Sequence, residues 1–93
     1  MQDSDIHSRI VTVVNDKGVH ARPASLIART TGSLEAEVKL SHGEQQVDAN
    51  SVLSILLLAA AQGTRITIEA HGPDGAEAVE RIALLFQSGF DET

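Results

Sequence analysis

The hydrophobic pattern of this chain switches repeatedly between alternation and helical spacing, and no segment of either kind is long enough to be stable alone. The fold must therefore bury short strands against short helices. Ile10, Val11, Thr12, Val13 and Val14 form a β-branched run that stops at Asn15-Asp16-Lys17-Gly18, which predicts a strand followed by a turn. From about Ala21 to Thr31, Ala24, Leu26, Ile27, Ala28 and Arg29 fit a helical face, with Gly32 as a plausible stop. Glu35 to Leu40 alternates, with Ala36, Val38 and Leu40 on one side and Glu35, Glu37 and Lys39 on the other. Gly43 supplies a hairpin turn, and Gln45 to Asp48 returns as a short strand around Val47.

A second helix is predicted from Val52 to about Ala61, capped by Asn50 or Ser51, and Arg65 to Ala70 reads as a fourth strand with Ile66 and Ile68 inward. Asp74 followed by Glu77 resembles a capping box for a last helix to about Gln87, with Ala78, Val79, Ile82, Leu85 and Phe86 on its apolar face. The order β-α-β-β-α-β-α, with short links, predicts an α+β two-layer sandwich: a four-stranded antiparallel sheet with three helices on one face. At 93 residues the chain reads as a single domain, 1–93, with its core at about 8–87 and loose tails at "MQDSD" and "SGFDET".

Composition narrows the function. Hydrophobic residues are 42 % of the chain but aromatics only 2 %, so the core is aliphatic. Cysteine is absent, which removes disulfides, thiol nucleophiles and thiolate metal sites. The formal charge of −6, with the bases scattered, favours neither nucleic acid nor anionic membrane as a partner. The longest apolar stretch, around Ile55 to Ala61, is far short of the roughly 20 residues that cross a bilayer. The first residues lack the basic start and apolar run of an export signal, so a cytoplasmic monomer is expected. His7, His42 and His71 show no ligand spacing, so neither a metal nor another cofactor is expected.

The segment "DKGVHARPAS", Asp16 to Ser25, lies where the first strand gives way to the first helix. His20 falls at the helix N-cap or beside it. The first N–H groups of a helix lack intrahelical acceptors and carry the positive end of its dipole, so this is a place for an anion. Pro23 gives up an N–H that would be unpaired anyway, while Ala21 and Arg22 keep theirs. Gly18 lets the chain turn into the helix, and Arg22 brings a planar fork of donors suited to phosphate oxygens. A neutral imidazole is a nucleophile that could accept a phosphoryl group at such a site. Taken singly, each residue has a plainer role, as a cap, a solvated side chain or a helix start; the combination is what points to chemistry.

"GVHARPA", Gly18 to Ala24, resembles the active-site signature of HPr, the histidine-containing phosphocarrier family of the bacterial phosphoenolpyruvate-dependent phosphotransferase system. The resemblance runs from about Ser8 to Phe86, and the element order is the family's. It implies that His20 accepts a phosphoryl group on Nδ1 from Enzyme I and passes it to a histidine of a IIA domain. Arg22 would stabilise the group, the backbone of Ala21 and Arg22 would help hold it, and Gly18 and Pro23 would shape the helix start. The chain would then be a phosphoryl-transfer component and not a stand-alone enzyme.

A second segment, "ANSVLSILLLAAAQG", resembles the family's regulatory region. Ser51 falls where some members are phosphorylated by a serine kinase/phosphorylase, and Val52, Leu53 and Leu56 where the family keeps an exposed apolar docking patch. A helix cap alone also accounts for Ser51. Many members have a glycine where this chain has Ala60, and Asn50-Ser51-Val52 resembles the nitrogen-related branch more than the main sugar branch. Two rival readings are a regulatory HPr-like binding module acting through Ser51 and protein contacts, and a hydrolase using His20 as a base. Members of the first kind lack the active histidine, and the second lacks a nucleophile partner at a recognisable spacing.

Overall fold

In the computed structural model, which describes residues 6–92, the four strands are β1 (Ile6–Thr12), β2 (Glu37–His42), β3 (Gln45–Asp48) and β4 (Arg65–His71). They form one antiparallel sheet in the order β1-β4-β2-β3. Alternation decides which face is dry. Val11, Val38, Leu40, Ile66, Ile68 and Ala70 turn toward the helices and are buried, while the opposite face is left to solvent. One exposed row runs Ser8, Glu69, Lys39, Asp48 across the strands, and Lys39 Nζ meets Asp48 Oδ1 at 3.0 Å.

The helices α1 (Ala21–Gly32), α2 (Val52–Leu57) and α3 (Gly75–Gln87) pack on the apolar face. Ala24 and Ile27 of α1, Ile55 of α2 and Ala78, Val79, Ile82, Ala83 and Phe86 of α3 join the sheet residues in one core cluster. Fully burying each of the larger aliphatic side chains contributes roughly 1.5–3 kcal/mol. Arg9 clamps α3 to β1 from outside, its guanidinium 2.7 Å from Glu80.

The predicted elements are all present, with boundaries moved for local reasons. The first strand begins at Ile6 and not Ile10, because the whole of Ile6–Thr12 pairs with β4. Val13 lies past its end yet keeps the pairing, donating to the Thr64 carbonyl at 2.9 Å and accepting from Gly63 at 2.8 Å. Gly32 is the last residue of α1, which stops at Ser33. The second strand starts at Glu37, two positions later than expected, and runs on to His42.

Helix α2 ends at Leu57, well before Ala61. The cause is Ala59, whose φ of 49° is left-handed and cannot continue a right-handed helix. The position that favours glycine is thus Ala59, not Ala60, which is buried. Asp74 does precede α3, but no capping box forms: its side chain turns away and accepts the Glu35 N–H at 2.9 Å.

The expected loose tails fare differently. "MQDSD" lies outside the described residues. The far end is ordered as far as Glu92: after α3 the chain makes a left-handed turn over Gly89–Asp91, with φ values of 65°, 57° and 61°. Phe90 is fully buried there, its ring edge-on to Phe86 at 5.0 Å. Residues 88–92 form a strap that crosses back to the start of α1.

Candidate functional site

His20 is the N-cap residue of α1, with extended backbone angles of −90° and −161°. Its carbonyl accepts the first helical bond, from Ala24 at 2.9 Å, but its imidazole makes no cap hydrogen bond. The side chain is therefore available for something else. Its ring is 37 % exposed, and Nε2 lies 2.8 Å from Glu92 Oε2. No hydrogen-bond partner stands at Nδ1 among the described residues.

The loop before His20 is held from three directions. Gly18 has a φ of 69°, and a Cβ added there would overlap the Ala60 carbonyl oxygen. Val19 donates to that same oxygen at 2.9 Å. Gln62 closes the contact from the other side, donating to the Val14 carbonyl at 3.0 Å and to Asp16 at 3.2 Å. The loop after α2 and the loop carrying His20 are thereby one packed unit. Asn15, almost fully buried, donates through Nδ2 to the Gly18 carbonyl at 2.8 Å and to Glu92 Oε1 at 2.9 Å.

Arg22 stands two residues after His20 with its side chain 55 % exposed. Its Nη1 donates to the Phe90 carbonyl at 2.9 Å and stands 3.7 Å from Glu92 Oε2. Pro23 is buried in the first turn of α1, while the N–H groups of Ala21 and Arg22 have no intrahelical acceptor at that end. Burial pushes the Glu92 carboxyl up, but hydrogen bonds from Asn15 and His20 and the charges of His20 and Arg22 outweigh it. The net effect holds that carboxyl below its ordinary value. Beside this cluster lies a groove of about 550 Å³, lined by Asn15, Lys17, Arg22, Ser88, Gly89 and Glu92 among others.

At the second segment, Ser51 is the N-cap of α2, its Oγ accepting from Ser54 N–H at 3.2 Å. Of the three residues expected to be exposed here only Leu53 is, and Leu57 is exposed beside it. Leu53 is 76 % exposed and Leu57 70 % exposed, whereas Val52 and Leu56 are half-buried and lean on the core. The six-residue helix turns Leu53 and Leu57, four apart, to the same side.

The remaining histidines have local partners or none of consequence. His71 pairs with Glu69 at 3.1 Å and His42 approaches the Arg65 carbonyl at 3.3 Å. No group of three metal-ligating side chains exists among the described residues, and no helix there is long and apolar enough to cross a membrane.

Three members of the site escaped sequence reasoning: Asn15, Phe90 and Glu92. Asn15 reads as turn chemistry and Glu92 as part of a polar tail. Phe90 carried a signal, being one of only two aromatic residues in the chain and placed directly after a glycine.

Comparison with known proteins bears on the family of the chain. A family model described as the PTS HPr component phosphorylation site matches residues 7–88. The phosphocarrier protein HPr of Cupriavidus necator is 36 % identical over 90 % of this chain and 94 % of its own length. The phosphocarrier protein NPr of Escherichia coli is 42 % identical over 88 % of this chain and 92 % of its own. Among solved structures, HPr-C-His from Thermoanaerobacter tengcongensis superposes with a TM-score of 0.89 at 29 % identity, covering 94 % of this chain and 98 % of that one. With an α+β sandwich, a histidine at the start of α1 and a match across nearly every described element, this chain belongs to the HPr family of the phosphotransferase system.

Proposed function

We propose that the chain is a phosphocarrier in which His20 accepts a phosphoryl group on Nδ1 from phosphorylated Enzyme I and delivers it to a IIA domain. The observation that carries this reading is the state of the His20 ring: partly exposed, engaged at Nε2 and, among the described residues, without a partner at Nδ1, at the positive start of a helix. With Nε2 holding the ring proton, the Nδ1 lone pair forms the new N–P bond as the donor's P–N bond breaks, and its electron pair stays with the donor histidine. The incoming oxygens meet the N–H groups of Ala21 and Arg22. The Arg22 guanidinium, exposed and two residues along the chain, swings from the Phe90 carbonyl to the phosphoryl group. Delivery is the reverse exchange on a second protein, so the site must hold the group without burying it.

Gly18 and Pro23 serve this reading by shaping the approach to α1, the first through a backbone only glycine accepts without strain, the second through a fixed φ. Partners dock beside His20 on the exposed leucines of α2, in small and brief interfaces of the kind that suit a carrier in the cytoplasm. The greater identity to the NPr protein than to the HPr protein supports placing the chain in the NPr branch, and so in regulation more than in sugar transport. A second reading, control by a serine kinase acting on Ser51, is favoured by its position two residues before exposed Leu53. A phosphate there would set charge against an apolar docking surface.

The test is incubation with phosphoenolpyruvate and Enzyme I, read by intact mass and acid treatment. One acid-labile phosphoryl group, lost in His20→Ala, is the expected result. No labelling under conditions that label an ordinary HPr overturns it.

A further inference from the structure

Residues 89–92 of the strap lie beyond the segment matched by the family model, which ends at residue 88, yet Glu92 reaches the imidazole of His20. We infer that Glu92 is a positioning residue that decides which nitrogen of His20 is phosphorylated, by occupying Nε2 and leaving Nδ1 as the only nucleophile. The inference rests on the carrier reading of His20 and assigns a role to the residue that engages Nε2 in it.

An imidazole has two nitrogens of similar nucleophilicity, and Nε2, farther from the backbone, is the less hindered. A small phosphoryl donor meeting a free histidine side chain therefore has better access to Nε2. Here that nitrogen faces a carboxylate oxygen at 2.8 Å. A carboxylate can only accept at that distance, so Nε2 carries a proton, and in the neutral, nucleophilic ring the lone pair is left on Nδ1. The carboxylate is itself fixed: Oε1 receives the Asn15 amide at 2.9 Å, and Asn15 is anchored to the Gly18 carbonyl at 2.8 Å. Phe90, fully buried two residues earlier, pins the strap to the core. Glu92 is thus held like a ligand's orienting group, by the arrangement that fixes tautomers in catalytic and metal-binding histidines.

The pairing also matters after transfer. Once Nδ1 bears phosphorus and Nε2 keeps its proton, the ring is cationic, and the Glu92 carboxylate faces that charge directly. The proton stays on Nε2 throughout, so the step needs no base.

The test uses potassium phosphoramidate, whose nitrogen leaves as ammonia with the P–N electron pair, so neither Enzyme I nor docking is involved. The full chain, Glu92→Ala and Glu92→Gln are reacted and their phosphohistidines distinguished by phosphorus-31 NMR, with proton–nitrogen spectra of the His20 ring recorded before reaction. The unaltered protein is expected to give the Nδ1 product alone, with a protected Nε2–H. Glu92→Ala is expected to lose both the selectivity and the protection, and Glu92→Gln, whose amide oxygen still accepts from Nε2, to restore the Nδ1 preference. An Nε2 product or no product in the unaltered protein, or unchanged selectivity in a folded Glu92→Ala, overturns the inference. Failure of the carrier reading looks different: Nδ1 is still labelled by phosphoramidate with the same dependence on Glu92, while Enzyme I labels nothing.

Discussion

Gly18 and Ala60 are in backbone contact, close enough that a methyl group on Gly18 would overlap the Ala60 carbonyl oxygen. That oxygen already accepts the Val19 N–H, so it cannot retreat without breaking a bond at 2.9 Å. The contact couples the loop carrying His20 to the end of the helix carrying Leu53 and Leu57. Gly18→Ala combines a left-handed alanine with a backbone clash and is expected to cost about 2–5 kcal/mol. Urea unfolding checks the value, and phosphorylation by Enzyme I should fall beyond what the loss of folded protein explains.

Ala59 offers the opposite experiment. Its φ of 49° places a Cβ where the backbone disfavours one, and nothing in the phosphoryl chemistry depends on it. Ala59→Gly is expected to raise stability by about 1 kcal/mol, because relief of strain outweighs the added freedom of the unfolded chain. Thermal unfolding measures the gain; a loss would mean that the left-handed alanine is not strained.

Ser51 separates capping from signalling. Ser51→Ala removes the bond to the Ser54 N–H and is expected to cost about 1 kcal/mol without weakening Enzyme I binding in the folded protein. Ser51→Asp keeps a capping oxygen and adds charge beside Leu53, so it should fold normally and bind Enzyme I less tightly. Equal binding by both variants would leave Ser51 as a cap alone.

Acid should loosen the strap. The Glu92 carboxyl is held below its ordinary value, first against burial, then by the hydrogen bonds of Asn15 and His20 and by the nearby charges of His20 and Arg22. The folded state therefore favours the charged form. The resulting stabilisation is fully present above the ordinary carboxyl value of 4.5 and is lost as pH falls through the lower folded value. The Asn15 side-chain amide resonances should shift in that window, and in Glu92→Gln the shift should be absent.

The elements whose apolar spacing is regular were readable from the sequence, because burial on one face imposes the period. Val38 and Leu40, Ile66 and Ile68, and the Ala78, Val79, Ile82, Phe86 stripe all turn inward as their spacing implies. Boundaries set by backbone conformation were not: α2 ends early at a left-handed alanine, a residue with no reputation for stopping helices. Asp74 looked like a cap because its spacing to Glu77 is right, but a distant N–H at Glu35 competes successfully for its carboxylate. The position of His20 at a helix start followed from local signals, whereas its partner Glu92 is 72 positions away and nothing local links them.

The edge-to-face contact of Phe86 with Phe90 has a spectroscopic consequence. These are the only aromatic side chains of the FWY class in the chain, so its near-ultraviolet circular dichroism arises chiefly from this one junction. Everything else in the core is transparent at those wavelengths. The protein therefore carries an intrinsic optical probe of strap attachment, whose fine structure should fade on detachment even while the far-ultraviolet signal of helices and sheet stays intact.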